Sequence, residues 1–271
     1  MLLSRLVALL RRIPVRPAYT DEPEWMDAPG HSRALIEDNL KDLRQVNRLL
    51  GGSWLTLRPL ERVATRIAWG ETLRVLDVAT GAADIPGAVA RWAHSSGRAL
   101  LLVASDVSLD ILAAGRDGGP HPPGIVFVVA DATALPFRAG GFHVSCSSLA
   151  LHHMLPDQAV AMLREQRRCT TVGVVVNDIV RSWLAYFGAI LATRIGSSNV
   201  LTLHDGPLSV RRAFTVSEMR HFAREAGLQP VEWYSFLFYR VSFWAASTAR
   251  ATPSAAVIPA VHSAHVDKAV R

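Results

Sequence analysis

Three acidic side chains stand at equivalent points of the chain, each at or just after the end of an apolar run. They are Asp77, Asp106 and Asp131, and a turn containing Gly81 follows the first one only. Ligands of an open parallel sheet bind at the carboxyl ends of its strands, so we expect the three carboxylates to line one edge of one crevice. One such aspartate would mean little, because turns favour this residue. Three in register indicate a ligand site.

Each carboxylate suits one part of an adenosyl cofactor. Asp106 can accept hydrogen bonds from both ribose hydroxyls, which a neutral side chain would do less well. Asp131 can accept from the exocyclic amine of adenine, with the amide of Ala132 available to a ring nitrogen. Asp77 is expected to order the turn near a cationic methionine end. Gly81 lets the backbone approach the ligand, and the helix after it directs its amino end at the methionyl carboxylate.

A dinucleotide is the competing ligand for this geometry. Gly81 and Gly87 do not supply the spacing G-x-G-x-x-G. The two lysines, Lys41 and Lys268, do not follow a tyrosine at the spacing Tyr-x-x-x-Lys. The sequence therefore disfavours a nicotinamide enzyme.

Four segments resemble motifs of class I methyltransferases. Val75–Asp84 (VLDVATGAAD) resembles the first motif, and Asp131–Phe137, Phe142–Val144 and Leu149–Met154 resemble the later ones. The resemblance covers about residues 70–245 and is strongest to the UbiE-like, or type 11, enzymes that methylate small molecules. It implies S-adenosyl-L-methionine as cofactor and an S-adenosylmethionine-dependent methyltransferase as the activity.

The resemblance also implies a fold and further site residues. The fold is α/β and Rossmann-like, with a seven-stranded, mostly parallel sheet, helices on both faces and an antiparallel last strand. Ala79, Val107 and Ser148 join the cofactor site. The family's first motif usually has three glycines, whereas alanine stands at Ala79 and Ala83 here. Ala83 predicts a shifted loop or weakened binding, so a catalytically decayed cofactor-binding protein stays open as an alternative.

Histidines are the candidate catalytic residues. Methyl transfer needs positioned partners and exclusion of water, and a hydroxyl acceptor also benefits from a base. His152 and His153 follow the fourth predicted strand, and His204 lies in the long connection after the fifth. One of the paired histidines could instead cap the next helix, and His204 could be an ordinary loop residue.

The acceptor-binding candidates follow the fifth predicted strand and are Asp178, Arg181, Trp183, Phe187 and Arg212. An ion pair of Arg212 with Asp205 or Glu218 is the favoured alternative for that arginine. The stripe formed by Trp183, Leu184, Phe187, Ile190 and Leu191 is more typical of a core than of a pocket.

The place of this stripe after the fifth strand nevertheless matches the acceptor lid of the resembled family. Trp25 and Met26, with the helix over 34–50, could close the other side. An apolar roof over polar strand ends suits an aromatic or polyketide-like acceptor. We therefore predict methylation of the oxygen of a small phenolic or polyketide-like molecule, with carbon methylation of a quinone precursor as the alternative.

The elements that must position these residues alternate along the chain. Buried strands that alternate with helices predict a parallel sheet covered on both faces. The predicted strands are Leu73–Val78, Leu100–Ser105, Ile125–Ala130, Phe142–Ser148, Val172–Val176, Val231–Phe238 and Val241–Thr248. The predicted helices are Ala34–Leu50, Leu55–Ala68, Ile85–His94, Leu109–Gly115, Gln158–Arg168, Trp183–Thr193 and Val216–Ala226.

These elements divide into three regions. Residues 1–69 form an amino-terminal helical cap on the substrate side. Residues 70–248 form the methyltransferase domain, in which 181–214 is the acceptor lid. Residues 249–271, rich in Ala, Pro and Val, are predicted to be a disordered tail.

Composition excludes several classes of protein. The formal charge is +6, but the basic residues are scattered and almost all arginine, which disfavours nucleic-acid binding. Two cysteines cannot form a disulfide framework, and Cys146 is predicted to be a core residue. Residues 1–12 could contact a membrane surface weakly, although packing on the protein's own body is favoured. We expect a cytoplasmic protein with a small-molecule acceptor and no metal site, and the oligomeric state stays open.

Overall fold

A seven-stranded sheet forms the centre of the computed structural model, which describes residues 16–119, 121–237 and 239–247. Its spatial order is β3-β2-β1-β4-β5-β7-β6. Strands β1 to β5 pair in parallel, and β7 runs antiparallel to both of its neighbours. The predicted fold class is therefore confirmed. The strands are β1 Leu73–Val78, β2 Leu100–Asp106, β3 Ile125–Val129, β4 Phe142–Ser148, β5 Thr170–Ile179, β6 Gln229–Phe236 and β7 Arg240–Ala246.

Helices cover both faces of this sheet. Alternate residues of β1 enter two different apolar cores, with Leu76 and Val78 in one and Leu73 and Val75 in the other. Burial on both faces explains why the strands read as nearly continuous apolar runs. The helices are α1 Arg33–Leu49, α2 Gly52–Ala64, α3 Asp84–Ser95, α4 Leu109–Asp117, α5 Pro156–Cys169, α6 Trp183–Gly196, α7 Val200–Arg212 and α8 Val216–Glu225.

Helix α2 differs from its prediction. It spans Gly52–Ala64 instead of Leu55–Ala68, and Pro59 lies in its middle. Proline there removes one helical hydrogen bond. The helix persists because Leu60 and Val63 pack into the core on one face of the sheet, and tertiary packing contributes more to helix stability than propensity does.

The long connection after β5 contains a second helix, α7, that the sequence analysis did not predict. Gly206 and Pro207 fall inside it and obscure its periodicity. Its start is nevertheless marked by Asn199, whose side chain accepts hydrogen bonds from the amides of Leu201 and Thr202. His204 consequently lies on a helix and not in a loop.

Some expectations concern chain ends that lie outside the described residues. These are the predicted surface helix at residues 1–12 and the predicted tail at residues 249–271. Within the described ranges, no helix is both long enough and apolar enough to cross a membrane. Cys146 is fully buried in the core, as predicted.

Candidate active site

The turn after β1 is fastened to the end of β2 by one carboxylate. Asp106 accepts hydrogen bonds from the amide of Gly81 (2.9 Å) and from the amide of Ser108 (3.1 Å). Gly81 has a positive φ of 48°, and a side chain there would meet open space. Asp106 and the turn after Asp77 are thus brought together at one edge of the sheet. In this structure, however, the Asp106 carboxylate is already bonded to the backbone.

Two alanines in this turn hold backbone conformations that favour glycine. Ala79 has a φ of 54° and Ala83 a φ of 55°. The left-handed region costs an L-residue about 1–2 kcal/mol. Both Ala79 and Ala83 therefore add backbone strain to the turn. The methyl group of Ala83 is enclosed by protein rather than exposed on the turn.

Two buried carboxyl groups, those of Asp77 and Asp106, and the half-buried carboxyl of Asp84 surround the turn. Burial raises the pKa of Asp77 to about 7, and burial also raises the pKa values of Asp84 and Asp106. The Asp77 carboxylate also accepts a hydrogen bond from the Cys146 thiol (3.2 Å). Carboxylates that are costly to ionise favour a cationic ligand, because a nearby positive charge stabilises their charged form.

A buried arginine at the start of β7 adds a positive charge to this polar region. Arg240, on β7, donates through Nε to Asn177 (2.8 Å) and through Nη2 to the hydroxyl of Ser148 (2.9 Å). Its Nη1 is buried and has no hydrogen-bond partner among the described residues. Burial lowers the pKa of Arg240 to about 10. Sequence reasoning missed this residue, although an arginine at the start of an apolar strand was a usable signal.

The predicted adenine-side residues lie beside the end of β3. Asp131 is exposed, and its carboxylate accepts hydrogen bonds from the amide and hydroxyl of Thr133, both at 2.8 Å. Ala132 is buried, whereas Val107 is 69 % exposed. Their roles toward adenine stay predictions.

Asp178 binds His152 rather than a small molecule. Its carboxylate accepts from the ring Nδ1 of His152 (2.6 Å) and from the amides of Leu151 (2.7 Å) and Ile179 (2.7 Å). It is fully buried, and the bonds to neighbouring backbone and ring lower its pKa despite burial. Both oxygens of Asp178 accept hydrogen bonds from protein donors, so these contacts do not support its predicted role in acceptor binding.

The paired histidines do not cap the next helix. Helix α5 is capped by Gln158, whose side chain accepts from the amide of Leu155. The His153 ring instead contacts Asp27 through Nδ1 (2.9 Å). Burial lowers the pKa of His153, but the carboxylates of Glu24 and Asp27 raise it more, to about 10. His153 therefore carries a proton at neutral pH.

A segment that we name the strap, residues 16–30, reaches the ends of β4 and β5. Arg212 holds it, because its guanidinium donates to the carbonyl oxygens of Asp21 and Glu22 and to those of His152 (3.0 Å) and His153 (2.8 Å). Arg212 is buried and bonded to backbone oxygens alone among the described residues. It therefore fastens the strap to the loop after β4 and is not positioned to bind an acceptor.

The expected partners of Arg212 are used elsewhere. Asp205 accepts hydrogen bonds from the strap amides of Trp25 and Met26, both at 2.9 Å. Glu218 forms an ion pair with Arg181 (2.9 Å). The ion pair predicted for Arg212 is therefore wrong. A planar guanidinium has five donors and can serve several carbonyl oxygens at once.

Arg181 is also structural. Besides its ion pair with Glu218, its guanidinium lies over the ring of Tyr19 (5.2 Å). Its side chain is 7 % exposed. Arg181 thus holds the strap against α8, and its assignment to acceptor binding is not supported by these contacts.

His204 pairs with a carboxylate and an aromatic ring. Its Nδ1 contacts Asp205 (2.7 Å), and its ring stacks on Trp25 with centroids 3.7 Å apart. The side chain is 27 % exposed. The structure therefore places His204 at the strap, on the same side of the molecule as His153.

The apolar stripe of α6 is exposed and does not form a core. Ala185 is the one buried residue of this helix. Leu184, Phe187 and Leu191 are 63 %, 61 % and 63 % exposed. The interpretation of this stripe as core is therefore wrong. Contiguous exposed apolar surface of this kind often marks a binding surface.

The sequence of the central strands matches a known protein family. Residues 75–173 match the family model described as a methyltransferase domain. This segment is similar to a methyltransferase domain. It contains Asp77, Gly81, Asp106, Asp131 and the paired histidines, and it spans little more than a third of the chain. No curated protein matches the chain.

Solved structures share the fold of the methyltransferase domain and its flanking helices. The methyltransferase bound to the Trm112 activator from Haloferax volcanii has a TM-score of 0.55 at 15 % identity, covering 83 % of this chain and 98 % of that one. A SAM-dependent methyltransferase from Aquifex aeolicus has a TM-score of 0.53 at 15 % identity, and the match covers 80 % of this chain and 100 % of that one. The [4+2]-cyclase SpnF has a TM-score of 0.50 at 16 % identity, and the match covers 70 % of this chain and 80 % of that one.

The methyltransferase domain and its topology indicate S-adenosylmethionine as the cofactor. The buried groups fit that molecule, which carries a sulfonium, an ammonium and a carboxylate. Asp77, Asp84 and Asp106 would stabilise its positive charges. The unpartnered Nη1 of Arg240 would serve its carboxylate.

Proposed function

We propose that this protein transfers the methyl group of S-adenosylmethionine to a small, largely apolar acceptor, at the oxygen of a phenolic or polyketide-like molecule. The observation that carries the proposal is the set of three carboxyl groups with raised pKa values around the Gly81 turn, two of them buried and that of Asp84 half-buried. A site built this way discriminates in favour of a cationic ligand. The fold alone would not decide the matter, because the same architecture hosts different activities.

The chain's own residues divide the work of holding the cofactor, which supplies an electrophilic methyl group. Asp106 would accept from the ribose hydroxyls, with Val107 beside it. Asp131 and Ala132 would face the adenine. The Gly81 turn and the amino end of α3 would lie at the methionyl end, where Ser148 positions Arg240.

Two histidines are suited to remove a proton from a hydroxyl acceptor. His152 and His204 each pair Nδ1 with a buried carboxylate, which leaves Nε2 as the candidate proton acceptor. His153 is less suited, because its raised pKa keeps it protonated.

The acceptor would approach along α6. The exposed face of Leu184, Phe187 and Leu191, with Trp183 at its start, offers an apolar surface to a hydrophobic molecule. This supports residues 181–214 as the acceptor lid of a domain spanning 70–248, with 1–69 on the substrate side.

Carbon methylation of a quinone precursor, as in UbiE-like enzymes, is the second candidate reaction. The same apolar face supports it. Acceptor profiling followed by product analysis separates the two, since an O-methyl product can be demethylated and a C-methyl product cannot.

A catalytically decayed cofactor-binding protein is the third candidate. It now has less support, since the methyl group of Ala83 is enclosed by protein. All three candidates require the protein to bind the cofactor. Calorimetric titration of the full chain with S-adenosylmethionine and S-adenosylhomocysteine tests this binding. We expect saturable binding of both, and failure to bind either would reject the proposed function.

A further inference from the structure

Three potential metal ligands from distant parts of the chain meet beneath the strap. They are Glu24 of the strap and the pair His152 and His153 after β4, and their ligand atoms all lie within 4.8 Å of one another. One oxygen of Glu24 lies 3.7 Å from Nε2 of His152, and the other lies 3.8 Å from Nε2 of His153. Both distances are too long for hydrogen bonds. No described residue donates to or accepts from either Nε2.

The surrounding groups hold these three side chains in a ligating arrangement. Asp178 binds Nδ1 of His152 (2.6 Å), and Asp27 binds Nδ1 of His153 (2.9 Å). A neutral ring that donates Nδ1–H to a carboxylate presents the Nε2 lone pair, and metal-binding histidines in proteins are commonly oriented in this way. His153 must release its Nε2 proton when a cation binds. The hydroxyl of Ser209 donates to Glu24 (2.8 Å) and orients the third ligand.

The burial of Glu24 and His152 distinguishes this cluster from a group of solvent-exposed acidic residues. Glu24 is 4 % exposed and His152 is 3 % exposed. A buried carboxylate normally has a cation or several donors close to it. The guanidinium of Arg212 is directed at backbone oxygens, so the two histidine rings and the hydroxyl of Ser209 are the polar groups that face Glu24 among the described residues.

We propose that Glu24, His152 and His153 bind a divalent transition-metal cation of the zinc type. Two imidazoles and one carboxylate are a common zinc ligand set that leaves one coordination position open. Zinc ligands at bond lengths of about 2.0–2.1 Å stand roughly 3.4 Å apart in tetrahedral geometry. The distances of 3.7 and 3.8 Å involve different oxygens of Glu24 and are slightly longer than this separation. One ligand atom from each residue lies within 4.8 Å of the others, so the three side chains must move closer together to share one cation.

A bound cation would have two consequences for the molecule. It would tie the strap to the loop after β4 through Glu24. It would also occupy Nε2 of His152, which would leave His204 as the candidate proton acceptor. The alternative is a metal-free ion-pair cluster in which protonated His153 lies between Glu24 and Asp27.

Metal titration of the full chain, after removal of metal by a chelator, distinguishes these states. Zn²⁺ is titrated by calorimetry, and Co²⁺ is added separately as a visible-absorbance probe of tetrahedral coordination. We expect one Zn²⁺ per chain and a rise in Tm on its addition. Because no cofactor is added, this result succeeds or fails independently of S-adenosylmethionine binding.

Variants locate the cation. Glu24→Gln keeps the shape of the side chain but removes its charge. His153→Ala removes the proposed imidazole ligand that belongs to the less buried of the two histidines. Each variant is expected to weaken Zn²⁺ binding about tenfold or more. Even the loss of a group that only orients a metal ligand typically weakens metal binding by about tenfold. His221→Ala, which changes an exposed histidine on α8, should bind Zn²⁺ like the wild type.

Two outcomes would overturn the proposal. One is the absence of stoichiometric Zn²⁺ and Co²⁺ binding by the folded wild-type chain. The other is unchanged Zn²⁺ affinity in both Glu24→Gln and His153→Ala, with circular dichroism showing that the variants are folded. If one variant unfolds, the other still decides the question.

Discussion

Asp106 illustrates how one side chain can serve both the fold and a ligand. The sequence predicts a ribose ligand, and the structure adds hydrogen bonds to the amides of Gly81 and Ser108. The carboxylate therefore holds the turn that the cofactor must contact. A substitution here affects affinity and stability together, and the two effects must be measured separately.

We predict that Asp106→Ala weakens S-adenosylmethionine binding at least tenfold, because hydrogen bonds to a charged group contribute about 1.5–3 kcal/mol. Calorimetry measures the affinity, and thermal unfolding measures the accompanying loss of stability. Asp131→Ala is the comparison, since Asp131 is exposed and the hydrogen bonds of its carboxylate are to the neighbouring Thr133. It should leave Tm nearly unchanged. An Asp106→Ala protein with wild-type affinity would show that another group binds the ribose.

The carboxyl of Asp77 is predicted to make stability depend on pH. Its pKa is raised by burial to about 7 in the folded state, against about 3.9 when unfolded. Between these values the folded protein binds more protons than the unfolded chain. The free energy of unfolding should therefore fall as pH rises from about 4 to about 7.

Urea unfolding at several pH values across this window measures the dependence. In Asp77→Asn the free energy of unfolding should fall less steeply with pH. The remaining pH dependence comes from Asp84 and Asp106, whose pKa values are also raised. Asp117→Asn should keep the wild-type slope above pH 5, because the pKa of Asp117 is lowered to about 2. Equal slopes for wild type and Asp77→Asn would contradict the assignment.

Helix α4 supports the cofactor turn through a glycine. A Cβ added at Gly115 would overlap the carbonyl oxygen of Gly81, which is backbone and cannot rotate away. The contact couples the position of the helix to the position of the turn. Sequence periodicity gives no indication of it, because it depends on how α4 packs.

Gly115→Ala is therefore predicted to lower both stability and cofactor affinity, with a stability loss of about 1–3 kcal/mol typical of overpacking. Thermal unfolding and calorimetry provide the two readouts. Gly119→Ala, just beyond the helix, meets nothing within 4 Å and should behave as the wild type. If Gly115→Ala matches Gly119→Ala in both measurements, the coupling between α4 and the turn is absent.

Helix α6 shows that an apolar stripe does not reveal what covers it. The side chains of Phe187 and Leu191 are exposed, so we expect them to contribute to acceptor binding and little to the stability of the fold. We predict that Phe187→Ser combined with Leu191→Ser raises KM for an apolar acceptor while leaving the Kd of S-adenosylmethionine unchanged. Steady-state kinetics and calorimetry test this.

The matched control for that variant is Trp69→Ser, which removes an equally exposed apolar side chain. Trp69 is 73 % exposed and precedes β1, at the opposite end of the strands from the proposed site. Its KM should equal that of the wild type. A lower Tm for the α6 variant, or a KM shift shared with Trp69→Ser, would argue against a specific acceptor surface.

At the scale of the whole molecule, the strap joins the amino-terminal region to the sheet. Its amides at Trp25 and Met26 both donate to Asp205, which is buried on α7. Asp205→Ala is predicted to release the strap, so hydrogen exchange at residues 24–27 should accelerate while the central strands stay protected. Mass spectrometry of peptic fragments measures this exchange.

Asp21→Ala is the control for strap release, since Arg212 contacts the backbone oxygen of Asp21 and not its carboxylate. Exchange in the strap should stay at the wild-type rate. Uniform acceleration throughout the Asp205→Ala protein would indicate global destabilisation and would count against a local strap.

The sequence by itself determined the alternating strands and helices and the placement of Asp77, Gly81, Asp106 and Asp131 at one edge. These features depend on local hydrophobic periodicity and on the rule that parallel strands end at the same edge. The seven-stranded order with an antiparallel β7 agreed with the family resemblance.

Only the tertiary structure decided the partners of the buried polar groups. It paired Asp178 with His152, directed Arg212 to backbone oxygens, brought Arg240 to Ser148 and placed Glu24 beside the two histidines. It also left the apolar face of α6 exposed. Such contacts join residues far apart in the chain, and their geometry depends on how whole elements pack, which no local pattern encodes.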